Sequence, residues 1–203
     1  QKAFMSDPYG RNMWGVPPQG CADYAFQQHM QKSLNTENGR SISLWPHGVL
    51  FRDSEGDMRR NMIEDDVIEC VISLGPNLFY NSSMTSCLLI TNNNKPPERK
   101  DKVLFVQAVN EVRSDKTMSY LDPEHIQRIH NAYLNFKDED TFTAVVDKEE
   151  ILKDKNARLS VQLFVKEDKI VEEAFDVLLD DWEQSSVALK SSMDELFKTI
   201  ANG

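Results

Sequence analysis

The sequence predicts an α/β domain, and more narrowly the second half of a doubly wound one. Segments with helical spacing alternate with apolar runs, which is the rhythm of a sheet covered by helices rather than of a sandwich or a bundle. The runs Val67 to Leu74, Cys87 to Thr91 and Val103 to Ala108 are strand-length and almost unbroken by polar residues, as buried strands are. No strand feeding a glycine-rich turn comes before the first helix, where a doubly wound domain would open. At 203 residues, 40% apolar and 28% charged, the chain suffices for one core plus an appendage and is neither collagen-like nor wholly disordered.

The elements follow in order. Residues 1–20 carry Gly10, Gly15, Pro17, Pro18 and Gly20 and read as loop. From Ala22 to Leu34, Tyr24, Ala25, Phe26, His29, Met30 and Leu34 recur at helical spacing, with Asp23 as the cap and Asn38-Gly39 as the stop. Ser41 to Trp45 is a short strand ended by Pro46-His47-Gly48, and Glu55 to Glu64 is the next helix. Gly75 to Ser86 is a long loop between the first two apolar strands, and Asn92 to Asp101 a polar turn. Pro123 to Phe136 is an amphipathic helix capped by Asp122, Glu149 to Lys153 a short helical piece, and Leu159 to Val165 alternates as a strand does. Beyond it Val171, Phe175, Leu178, Trp182, Ser185, Leu189, Ser192 and Leu196 step by four and three, the seam of a long amphipathic helix. These elements divide into a sheet part, residues 1–110, and a mixed, mainly helical extension, 111–203.

Charge is uneven. Residues 1–110 hold 11 Lys and Arg against 12 Asp and Glu, a net of −1; the remainder holds 12 against 21, a net of −9. The total of −10 argues against a free-standing polyanion-binding domain, and the acidic tail suits a protein partner better than phosphate. No stretch approaches the roughly 20 apolar residues of a membrane span and no signal peptide is legible, so the cytoplasm is the expected compartment. Cys21, Cys70 and Cys87 are odd in number and widely spaced, and read as reduced and mostly buried. A chain that opens at Gln1 suggests a piece of something longer.

Few residues offer chemistry. His29, His47, His125 and His130 are scattered without a zinc-binding spacing, and no nucleophile elbow, phosphate loop or nucleotide fingerprint is present. Asp7-Pro8-Tyr9 has the order of an amino-methyltransferase (N/D/S)PP(Y/F) loop but lacks one proline and the preceding strand, which leaves a turn. The most informative segment is Leu74 to Met84, which sets Phe79 and Tyr80 side by side among small polar residues. An enzyme that acts on a base takes it out of the stack and holds its face against an aromatic ring, which either residue offers; by periodicity alone, an inward-packed loop anchor is the simpler reading.

Taken together, Arg11-Asn12, Gly15 to Gly20, Ala22 to Phe26, His29, Gly39-Arg40, Pro46 to Arg52 and Met58-Arg59-Arg60 resemble modification subunits of type I restriction-modification systems, which are adenine-N6 DNA methyltransferases. The likeness continues through Leu74 to Tyr80, Lys102 to Val106, Pro123 to His125 and Leu159 to Val161, with Pro46 to Arg52 the most specific part. The resemblance implies the second half of a Rossmann-like domain that uses S-adenosylmethionine, followed by a helical extension. It also implies that the cofactor turn and the NPP(Y/F) loop lie upstream, so that no catalytic or cofactor-binding residue carries over and no metal is expected. Phe79 or Tyr80 then lies where this class places the aromatic that stacks on the flipped adenine. The extension, through Phe175, Leu178, Trp182, Leu189 and Leu196, would embrace the specificity subunit, which reads the DNA sequence, in an assembly that also includes the restriction subunit. Without that partner the segment would pack back on its own domain or self-associate. The rival reading is a non-catalytic module that only binds a partner chain.

Overall fold

The three apolar runs form the centre of a five-stranded sheet. The computed structural model describes residues 5–115, 118–166, 179, 182–187, 189–193 and 197. Strands β1 (Arg40–Pro46), β2 (Ile68–Leu74), β3 (Ser86–Asn92), β4 (Lys102–Ala108) and β7 (Thr143–Asp147) lie in the order β1-β3-β2-β4-β7. A two-residue pair, β5 (Arg113–Ser114) and β6 (Ser119–Tyr120), stands apart from it. Only β2 and β4 pair in parallel; β1 with β3, β3 with β2 and β4 with β7 are antiparallel. The sheet is therefore mixed and mostly antiparallel, which corrects the parallel character that a doubly wound fold implies. The antiparallel strand β3, reached by the long loop after β2, separates two strands that still share a direction.

Helices cover both faces. On one, α1 (Asp23–Ser33), α2 (Gly56–Glu64) and α4 (Lys148–Leu152) bring Tyr24, Met58, Met62, Ile63 and Ile151 onto Val71, Leu89 and Phe105. On the other, α3 (Pro123–Asn135) brings Ala132 and Ile129 onto Ile72, Leu104 and Val106. Residues 1–166 form one compact unit and 167–203 a second. Thus α3 and β7, beyond residue 110, complete the sheet unit.

Four local expectations change. α1 starts at Asp23 with Ala22 before it and no side-chain cap, because the Asp23 carboxylate is held instead by Arg52 Nη2 at 2.8 Å. Its buried face is Tyr24, Gln27, Gln28 and Gln31, while Phe26 and His29 face solvent. Each glutamine serves polar groups that apolar side chains could not satisfy: Gln28 accepts from the Trp14 backbone N–H at 2.7 Å, and Gln27 Oε1 accepts from Ser43 and Trp45. Leu159 to Val165 is not a strand. The Leu159 N–H goes to the Leu50 carbonyl at 2.8 Å, Val161–Leu163 forms a 3-10 turn, and Phe164 stacks on Phe105 with ring centroids 4.3 Å apart. Conversely, β7 is a strand without a strand's sequence signal, because its apolar run is three residues long and half-buried at the sheet edge.

Two arginines of α2 tie the chain's distant parts together. Arg59, fully buried, donates to the carbonyls of Val49 (3.1 Å), Arg52 (2.8 Å), Asn156 (3.0 Å) and Ala157 (3.2 Å). Arg60 donates to the carbonyls of Leu152, Asp154 and Lys155. On β2, buried Glu69 accepts from Tyr133 Oη (2.7 Å), Asn92 Nδ2 (3.2 Å), Arg40 (3.2 Å) and Arg99 (3.3 Å). Burial alone would raise that carboxyl. The bonds from Tyr133 and Asn92 and the charges of Arg40 and Arg99 outweigh it and hold the group below the usual carboxylate value.

Replacing Arg59 by Met leaves buried carbonyls without donors, each costing about 1–3 kcal/mol. Arg59→Met is expected to lower unfolding stability in urea by about 3 kcal/mol or more. A loss under about 1 kcal/mol would mean that water or neighbouring groups replace the guanidinium.

Candidate functional site: an aromatic turn at the carboxyl edge of the sheet

Strands β1, β2 and β4 run in one direction, since β1 and β2 each oppose β3 and β2 is parallel to β4. Their carboxyl ends, Pro46, Leu74 and Ala108, therefore open on the same edge, the one from which α/β sheets present their ligand-binding loops. One of the adjoining loops, residues 75–85, contains both aromatic candidates.

Its path is tightly specified at the start. A Cβ on Gly75 would lie 2.7 Å from the Val109 carbonyl oxygen and 2.8 Å from Val112 Cγ1, so only glycine lets the loop leave β2 against the chain that leaves β4. Asn77 adopts a left-handed conformation, φ 59°, and its carbonyl accepts from the Ser119 N–H at 2.8 Å. The Ser82 N–H then donates to the Phe79 carbonyl at 3.1 Å, closing a four-residue turn over Phe79, Tyr80, Asn81 and Ser82. Asn81, third in that turn with φ 55°, is a residue type that tolerates this conformation. The two aromatics thereby part company: Tyr80 stands at the tip, 89% exposed, and Phe79 at the base, 39% exposed.

Around the loop's feet lies a small polar cluster. His47, immediately after β1, has Nε2 3.1 Å from Ser73 Oγ, one residue before the end of β2. Its backbone N–H points to the Thr85 carbonyl at 3.5 Å, and its ring lies beside the Ser86 backbone. Burial holds the imidazole below the usual histidine value, and the Ser86 backbone offsets this only in part. Ser86 Oγ and Gln107 Oε1 are buried without a hydrogen-bond partner among the described residues; in register Ser86 faces Pro46 and Gln107 faces Ser73. Periodicity and motif spacing had singled out none of His47, Ser73 and Ser86. Their one sequence signal is that His47 lies within Pro46 to Arg52, one of the strings on which the family resemblance rests.

The remaining residues of that segment are architectural. The Val49 carbonyl accepts from Tyr24 Oη and from Arg59, and Arg52 bridges Asp23 and Glu55. Asp7-Pro8-Tyr9 opens a turn in which Asp7 accepts from the Asn12 N–H at 2.7 Å. His125 accepts from the Asp122 N–H as part of the capping box of α3. Among the described residues no group of three or more His, Cys, Asp and Glu is placed to hold a metal. Cys70 and Cys87 are buried free thiols, and burial pushes Cys87 up to about 12; Cys21 is half-buried. Of the partner-binding candidates, Trp182 and Leu189 lie exposed within the helical stretches 182–187 and 189–193, whereas Phe175, Leu178 and Leu196 lie outside the described residues. No described helix is long and apolar enough to cross a membrane.

Residues 1–173 match the family described as N-6 DNA Methylase. The chain is 38% identical over 192 residues to the methylase subunit of type I restriction enzyme MjaVIII from Methanocaldococcus jannaschii, covering 93% of this chain and 32% of that protein. It is 24% identical over 202 residues to the MpnII methylase subunit of Mycoplasma pneumoniae, covering 95% and 36% respectively. Among solved structures, it resembles the methyltransferase subunit of a type I restriction-modification system from Streptococcus thermophilus, with TM-score 0.74 and 32% identity over 82% of this chain and 35% of that one. The chain thus spans about a third of the length of these curated relatives.

The neutral ring inferred for His47 is directly measurable. Its contribution to stability is present above the unfolded value of about 6.5 and is lost as pH falls from there through the lower folded value. Imidazole nitrogen shifts followed by NMR are expected to titrate with a midpoint below 6.5; a midpoint at or above it would contradict the burial.

Proposed function

This chain belongs to the N-6 DNA methylase family, and we propose that it is a carboxyl-terminal part of a type I modification subunit whose complete form transfers a methyl group from S-adenosylmethionine to N6 of a flipped adenine in DNA. The observation that carries this reading is the turn that presents Tyr80 at the carboxyl edge of the sheet. A ring that receives an extruded base must stand free of its own protein, and Tyr80 does so on a closed turn. Phe79, at the base, is proposed as the anchor.

The sheet supports a missing first half. In the β1–α2–β2 connection, the helix lies on the Tyr24 and Met58 face, and α1 lies on that same face. Right-handed crossovers are nearly universal, so a parallel strand that led through α1 into β1 would have to lie on the side of β1 away from β3. That side is the unpaired edge. Beside it Ile42 and Leu44 are exposed, and an apolar cavity of about 680 Å³ runs over Ile42, Ile72, Leu88 and Ile90 beneath α3. A strand paired with β1 would complete that edge, and an element packed beside α3 on the same face would cover both.

The residues present do not fit S-adenosylmethionine. The strands that end at this edge lead into Pro46-His47-Gly48, Leu74-Gly75-Pro76 and Ala108-Val109, none of them an acidic, glycine-rich turn opening a helix. Gly75, the one glycine in direct succession to a strand, is filled against Val109 and Val112. Cofactor binding and catalysis are accordingly assigned to the upstream half, and this chain is inactive alone.

A second role accompanies the first. Trp182, Leu189 and Met193 are exposed apolar side chains on helical residues of an acidic segment. We assign that segment, 167–203, to docking on the specificity subunit within an assembly that includes the restriction subunit, with self-association in its absence. The alternative of a purely non-catalytic assembly module shares this surface but leaves the aromatic turn without a task.

Two measurements test the reading. Calorimetric titration of the isolated chain with S-adenosylmethionine is expected to show no binding; one-to-one micromolar affinity would overturn the assignment of the cofactor site. In the full-length subunit with its specificity partner, Tyr80→Ala is expected to lower methylation and 2-aminopurine fluorescence at the target about tenfold, because base stacking is worth roughly 1–3 kcal/mol. Tyr80→Phe is expected to retain both. Normal flipping and methylation by Tyr80→Ala would make the turn structural.

A further inference from the structure

We propose that His47 is a positioning residue for the base-stacking turn, fastening both feet of the 75–85 loop to the end of β1. The inference rests on the reading of Tyr80 given above, but its geometry does not. β1 and β2 are not neighbours; β3 lies between them, which sets their axes about 9–10 Å apart. The His47 ring and the Ser73 hydroxyl meet across that interval. The imidazole Nε2 lies 3.1 Å from Ser73 Oγ on the strand that runs into the loop. The backbone N–H of His47 meets the carbonyl of Thr85, the loop's last residue.

The chemistry suits a neutral imidazole, which has one donor and one acceptor on opposite sides of a rigid ring. The ring nitrogen bonds the Ser73 hydroxyl while the backbone N–H of the same residue meets the Thr85 carbonyl, so one residue holds both feet at a fixed separation. Ser73 is 1% exposed, so its hydroxyl has little access to water as an alternative partner. The feet of the loop are then determined by Gly75 against Val109 and by His47 across β3, and the closed turn over Phe79 to Ser82 completes the path to Tyr80. Without the ring, the backbone contact to Thr85 remains but the tie to β2 is lost. The tip would sample more positions, and a reacting base held by it would spend less time in a productive pose.

Amide hydrogen exchange on this chain tests the fastening without any appeal to function. In His47→Ala, amides of residues 77–85 are expected to exchange about tenfold faster, with β2 and β3 unchanged; His47→Asn, which retains a donor and an acceptor, should restore protection. Unchanged exchange in the loop would overturn the proposal, as would equal acceleration through the whole sheet. In the full-length subunit, His47→Ala should lower kcat about tenfold and weaken the 2-aminopurine signal at unchanged S-adenosylmethionine affinity, and His47→Asn should recover both. If His47→Ala loosens the loop yet methylates normally while Tyr80→Ala is impaired, the positioning role falls and the reading of Tyr80 stands. If Tyr80→Ala is itself normal, both fall.

Discussion

The buried guanidinium of Arg59 holds the architecture together. Its donors take up carbonyls from two places far apart in sequence, residues 49 and 52 just after β1 and residues 156 and 157 beyond α4. Irregular backbone of this kind has no ladder to satisfy its carbonyls, and a buried loop is tolerated only where something else does so. A planar ion with five donors is suited to that work, and a lysine with one donor point is not. Because the 156–159 segment is pinned, Leu159 can bond to Leu50 and Phe164 can reach Phe105, which closes the core beneath β4.

The candidate site depends on the same region. The stretch from Pro46 to Arg52 leaves β1, gives His47 to the feet of the 75–85 loop, and then delivers Val49 and Arg52 to Arg59. A residue at the feet of the aromatic loop and residues that seal the core are thus two and five positions apart on one short segment. Displacing it would disturb packing and the aromatic turn together.

On the opposite face a second buried charge does comparable work. Glu69 draws Arg40 from β1, Arg99 from the turn before β4 and Tyr133 from α3 to one point on the central strand. Arg99 also lies over the rings of Tyr133 and Phe136, 5.2 and 4.6 Å from their centroids, so the end of α3 is held by charge and by ring contact at once. The apolar cavity begins where this clamp stops, toward the unpaired edge of β1. The sheet unit is thereby clamped at the Arg40 end of β1 and leaves the outer edge of that strand unpaired among the described residues.

The α/β class, the three central strands, α2, α3 and the importance of the 75–85 loop were legible in the sequence, since continuous apolar runs, helical spacing and a polar loop between strands are local patterns that burial imposes residue by residue. Family membership was legible too, because motifs such as Pro46 to Arg52 are strings. Pairing direction was not: an apolar run reads the same whether its neighbour is parallel or antiparallel, and β3 reversed the expectation. The buried face of α1 was misread because glutamine is a surface residue by composition and became a core residue only where Trp14, Ser43 and Trp45 needed partners. The separate roles of Phe79 and Tyr80, adjacent and both aromatic, were decided by a turn closed between Phe79 and Ser82, and the meeting of His47 with Ser73 by a sheet order that sets a strand between them. Local preference is written along the chain; a contact across 26 or 98 residues, as in His47 with Ser73 or Arg59 with Ala157, exists only once packing has chosen which distant groups must satisfy one another.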